Sequence, residues 1–166
     1  MTLQLPSELV WALDLIGITW PTADEDKLDQ MGQEWGRFAN TLQGLVDEIE
    51  KQGNAVPAAN KGAAIDAFQK SWTGGEAPLT NLRDGVEAAA LIAAGLSTCA
   101  LIVTVYKGVV LAETAQFAAT VVGAALAAET GIGAIIGAAV VVAKRILAQK
   151  AIDAALNYAI DKLQNG

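Results

Sequence analysis

From Ala88 to Tyr106 the chain runs nineteen residues without a charged side chain, and shorter charge-free runs follow at 114–128 and 130–143. A helix that is apolar on all its faces lies in a protein core or in lipid, and nineteen residues suffice to cross a bilayer. Composition separates helix from strand. Apolar residues make up 53% of the chain but aromatics only 5%. The balance is dominated by alanine, the best helix former and a poor filler of sheets. Ser97, Thr98 and Thr104 interrupt the longest run, and its alanines and glycines drive insertion weakly. No aromatic belt or strong basic flank frames it. The expectation is therefore a water-soluble core, with the apolar second half satisfied by helix-to-helix burial and no cavity left for chemistry. Membrane insertion through residues 88–143 is the alternative.

Charge is unevenly placed. Residues 1–90 hold fourteen acids and six bases, whereas residues 91–166 hold four and five. The overall charge of −7 argues against nucleic-acid binding. With no histidine, the commonest general base and most zinc sites are removed together. Cys99, the only cysteine, lies in an apolar run where it reads as a small hydrophobe, and no internal disulfide is possible. The carboxylates Asp24, Glu25, Asp26 and Asp29, then Asp47, Glu48 and Glu50, read as solvated helix faces without EF-hand spacing. Gly131, Gly133 and Gly137 lack the strand and the lysine of a nucleotide loop. Catalytic residues, cofactors and metals are all expected to be absent. Met1–Leu5 carries no basic region, so no general secretory leader is expected.

Length fits one domain, with organisation legible along it. Pro6 and Ser7 open a short helix that Gly17 ends, and Trp20-Pro21 is a connector. Thr22 to Glu25 has the spacing of a capping box. Leu28, Met31, Trp35, Phe38, Leu42, Leu45 and Ile49 then recur at alternating spacings of three and four, the mark of a long helix with a partner-helix seam. That seam is either satisfied within the chain or offered to another protein. Gly53, Asn54 and Pro57 predict a break or kink, with a second segment over 58–71. Trp11, Trp20, Trp35 and Trp72 read as core anchors. Trp72, Gly74 and Gly75 form a turn in which the indole is expected to lie across the next helix, and Pro78 suits the first turn beyond it. A long helix from Leu79 should break at Thr130–Gly133, and a last helix should continue to about Leu163. Gly133 with Gly137, and Ala134 with Ala138, place small residues four apart for close helix packing.

A helix, then Trp72-Thr73-Gly74, then another long helix resembles the hairpin of the WXG family. The stretch from Gln4 to Asp26, carrying Pro6, Trp11, Trp20 and Pro21, is similar to the opening of the CpnT-like leader domains of actinobacterial type VII-secreted polymorphic toxins. The resemblance covers most of the chain in layout and is closest over residues 4–40. It implies an effector-targeting domain that binds small WXG-family helical proteins as a hetero-oligomer and meets the type VII (ESX-like) secretion machinery. The chain would be cytoplasmic before export, then secreted or at the cell surface. Channel formation is also attributed to leaders of this group. The Tyr-x-x-x-Asp/Glu secretion tail of the superfamily is not matched, because Asp161 follows Tyr158 one residue too soon. A partner is expected to supply that tail, or the chain is a leader from a longer protein.

The expected fold is all-α, an elongated helical bundle built around long antiparallel hairpins. It reads as a single WXG-like domain over 1–166. Within it lie the short N-terminal helix and connector (1–21), the heptad helix and kinked second segment (22–71), the W-x-G turn (72–78) and the long apolar hairpin (79–164).

Overall fold

The computed structural model describes residues 2–74, 77–129 and 132–165. Among them every regular element is helical: a single 3-10 turn at Ser7–Leu9, then α1 (Val10–Ile16), α2 (Glu25–Ala59), α3 (Ala63–Trp72), α4 (Pro78–Ala127) and α5 (Ile132–Asn165). The all-α expectation holds. Gly17 ends α1 with φ 86°, and its amide donates to the carbonyls of Leu13 and Asp14, the left-handed stop that glycine adopts without a Cβ penalty.

The chain divides into two compact units, Lys27–Thr98 in one and Met1–Asp26 with Cys99–Gly166 in the other. In the first, α2 and α4 run antiparallel. Gly32 lies against Ser97, Gly36 against Ala93, and Leu42 against Gly85, so position rises along one helix as it falls along the other. Contact is close because small residues meet. A Cβ added at Gly32 would stand 2.8 Å from Ser97 Oγ and 3.1 Å from the Ala93 carbonyl. Gly32, Ala39, Val46 and Gly53 are all buried, seven residues apart. This is a heptad stripe built from little more than backbone.

In the second unit α4 and α5 are also antiparallel. Lys144 Nζ donates to Gln116 Oε1 at 3.0 Å, and a Cβ at Gly137 would come within 3.2 Å of Ala124 Cβ. Val110, Phe117, Ala148 and Ile152 meet Ala12, Leu13 and Ile16 of α1 in one core, with Trp20 and Leu5 packed on its edge. Fully burying a side chain such as Phe117, 1% exposed, stabilises by about 1.5–3 kcal/mol.

Three expectations need correction. First, α2 does not break at Gly53 or Asn54 but continues through Pro57 to Ala59. Proline forfeits one helical hydrogen bond, yet here only two helical residues follow it. At the helix end Asn60 Nδ2 donates to the last-turn carbonyl of Val56 at 2.9 Å, and Gly62, with φ 128°, turns the chain into α3. The second segment therefore starts at Ala63, not Ala58. Second, the Thr22–Glu25 capping box does not form as read. The helix begins at Glu25, whose carboxylate is taken by the amide of Leu3 and by Lys107 Nζ at 2.6 Å. Glu25 is thus buried, not solvated.

The third correction concerns the apolar half. Only 11% of the most apolar 18-residue window of α4 is buried. Leu101 and Leu126 on α4, with Ile135, Ile136 and Leu147 on α5, are all more than half exposed. Burial instead follows a narrow stripe. On α4, Leu79, Leu82, Val86, Ala89, Ala93, Leu96 and Ala100, and beyond them Val103, Lys107, Val110, Thr114, Phe117, Val121 and Ala124, are buried or half-buried at spacings of three and four. A helix with one or two neighbours can hide one face, however apolar the others are.

Candidate partner-binding surface

The heptad helix carries the first candidate. Its seam splits in the unit that contains it. Leu28 and Leu42 are half-buried, Leu42 against Gly85 of α4, while Trp35 and Ile49 are 37% and 38% exposed. Met31, Phe38 and Leu45 are 51–55% exposed. The buried stripe lies on the residues four further on from Leu28, Trp35, Leu42 and Ile49, namely Gly32, Ala39, Val46 and Gly53. The seam of large side chains is therefore turned partly away from α4. The reason is steric: glycine and alanine let two backbones approach, and the large residues beside them are displaced to the rim.

What results is an apolar ridge on the surface. Trp35 and Phe38 meet edge to face, with ring centroids 5.7 Å apart and planes at 89°, a favourable arrangement that stiffens both rings. Shallow depressions flank them, one lined by Glu34, Trp35 and Phe38 and the next by Lys27, Gln30, Met31 and Trp35. The charged rim is paired locally, Arg37 with Glu34 and Lys51 with Glu48 at 3.9 Å. These exposed pairs contribute little to stability but keep the ridge bordered by polar groups. An aromatic, apolar centre with a polar rim is the composition of a protein interface.

Trp72 builds the second feature. It is the last residue of α3, and its indole lies against Gly53 of α2, where a Cβ would stand 2.0 Å from the ring carbon Cζ2. Its Nε1 donates to Asn54 Oδ1 at 3.3 Å, and its ring stacks on Phe68 at 5.6 Å and 15°. The expectation that the indole crosses the following helix is corrected: it anchors back onto the preceding long helix, and Gly53 is the glycine that admits it. Gly74 accepts from the amide of Ala77 at 3.0 Å, continuing the turn. Gly75 lies outside the described residues. Beside the indole, Arg83 and Glu50 form an ion pair at 2.6 Å that ties α4 to α2.

The remaining sequence candidates are dispersed. Pro6 and Trp11 are exposed, and Trp20 and Pro21 are half-buried. Trp20 sits on the core edge with its ring centroid 5.9 Å from Lys107 Nζ. Of the small residues proposed for close packing, Gly137 is buried against Ala124, whereas Ala134 and Ala138 are exposed. The surroundings of Gly133 lie outside the described residues. The polar cluster of Glu25, Lys107 and the Ala23 carbonyl was missed from sequence. Its signal was available, because Lys107 is the only charge between Ala88 and Ala112.

An antiparallel helical pair with a tryptophan-glycine elbow is what the WXG resemblance implies. No curated protein and no solved structure matches the chain. The family described as WXG100 like domain matches residues 4–153, from the N-terminal segment through the elbow and into α5. The chain belongs to the WXG100-like domain family.

Proposed function

We propose that this chain is a non-catalytic secretion-targeting and partner-binding domain of a type VII (ESX-like) secreted effector or toxin, of the CpnT-like leader kind. In this reading a small WXG-family helical protein, or a dimer of such proteins, docks on α2 through Met31, Trp35, Phe38 and Leu45. The observation that carries it is the ridge itself. Three of these side chains are more than half exposed in an unbroken heptad pattern, and a heptad of large apolar residues is the shape another helix fills. Support for the route comes from family membership over residues 4–153. Co-expression with the WXG-family proteins encoded beside it should yield a stoichiometric complex. Met31→Asp with Phe38→Asp should abolish that complex while leaving helicity unchanged, because both side chains already face water. A complex that survives the pair of substitutions would remove α2 as the docking face.

A second reading draws on a different observation. Helix α4 is long and apolar enough to cross a membrane, and its most apolar window is barely buried. A membrane-active domain forming a pore through residues 88–143 would use that face. Dye release from liposomes separates the two: a pure adaptor leaves vesicles intact.

A further inference from the structure

The N-terminal segment is attached to α4 and α5 in an unusual manner. Helix α1 has seven residues, too few to persist without tertiary support. Its apolar side lies on Val110, Phe117, Ala148 and Ile152. The chain on either side of it is then held at polar points. Gln149 Nε2 donates to the Ile16 carbonyl at 2.5 Å. Lys107 Nζ donates to the Ala23 carbonyl at 2.6 Å and pairs with Glu25 at 2.6 Å, the two side chains being 2% and 7% exposed. The carboxylate also receives the amide of Leu3. Around it, the Thr2 hydroxyl lies within hydrogen-bond reach of both Asp24, at 3.0 Å, and Asp26, at 2.9 Å, and shares its one proton between them.

A lysine is an expensive choice at this place. Desolvating an ion pair costs about as much as the attraction returns, so apolar residues of the same volume would hold the segment at least as firmly. What a buried pair adds is an all-or-none contact: losing either partner leaves an uncompensated charge in an apolar setting. The same two helices carry bare apolar side chains elsewhere, Val122 and Leu126 on α4 and Val142 and Leu147 on α5, each more than half exposed. The segment therefore covers one portion of a surface that is otherwise open.

We propose that residues 2–26 are a releasable strap, locked by Glu25 and Lys107 over Val110, Phe117 and Ile152. Opening the lock detaches the strap and adds the covered patch to the apolar surface that α4 and α5 already show. This is independent of the partner docked on α2. It is tested on the full chain by hydrogen exchange at pH 7. In the wild type, amides over 10–18 should exchange through an opening that leaves 108–120 protected. Lys107→Met should speed exchange over 10–18 at least tenfold while residues 30–50 keep wild-type protection, with a severalfold rise in binding of a hydrophobic dye. Glu25→Gln, which keeps the shape but removes the charge and one of the two acceptor oxygens, should do the same more weakly. Strap amides that stay as protected as the α4 core in the wild type overturn the proposal, as does loss of protection uniformly along the chain in the variants. Should Lys107→Met fail to fold, the wild type and Glu25→Gln decide alone.

Discussion

The unit formed by Lys27–Thr98 and the unit that holds α5 solve the same packing problem in opposite ways. In the first, α2 meets α4 where side chains are small, Gly32 against Ser97 and Gly36 against Ala93, and the large side chains Met31, Phe38 and Leu45 stand outside. In the second, large side chains are the contact: Phe117, Val110, Ile152 and Ile16 are each at most 1% exposed. One interface gains from close backbone approach, the other from apolar area removed from water. Size and hydrophobicity alone therefore do not say which residues hold this protein together. Position on the heptad does.

That contrast can be broken by substitution. The largest effect is expected at Phe117→Ala, which should cost about 3–5 kcal/mol as read by denaturant unfolding; a loss under 1 kcal/mol would mean the α1–α4–α5 core is not as tight as described. Gly53→Val comes next. Its side chain needs the volume the Trp72 indole occupies, and overpacking of this kind costs about 1–3 kcal/mol. Tryptophan fluorescence should show Trp72 moving into water, whereas an unchanged spectrum would contradict the elbow.

A smaller effect is expected from acid. Burial pushes the Glu25 carboxyl upward, but the Lys107 hydrogen bond and charge and the Leu3 amide outweigh it, so it lies below the ordinary glutamate value. The unfolded chain thus takes the proton first as pH falls. The contribution of the pair is complete above about pH 4.3 and is lost as pH drops through the lower folded value. Unfolding followed against pH should show this acid limb, and Glu25→Gln should flatten it. The smallest effect belongs to Phe38→Ala. An exposed ring removed from the ridge should change stability by no more than about 0.5 kcal/mol while weakening partner binding markedly. Equal losses in both measurements would mean that the ridge is structural after all.

Much of the fold is legible in the sequence. Gly17 and Trp72 punctuate the sequence where α1 and α3 in fact end, because turn residues act locally; of the break expected at Thr130–Gly133, Thr130 and Gly131 lie outside the described residues. The amphipathic stripe on α2 was equally plain, although its large members drew attention away from the small ones beside them. The site was less legible. Nothing within a few residues of Trp72 reveals that its ring is received by Gly53, nineteen positions earlier, and nothing near Glu25 reveals Lys107. Both are encounters between segments remote in sequence.

Alanine richness, the heptad spacing and the charge-free runs determined by themselves that this chain would be helical and where most helices would start and stop. These are properties of single segments, governed by propensity and periodicity. Which face of each helix is covered was decided only in three dimensions. On α4 almost every face is apolar, so burial there depends on what else is nearby. The number of helices available to cover α4 and α5, not their hydrophobicity, left Leu101, Leu126 and Ile135 exposed.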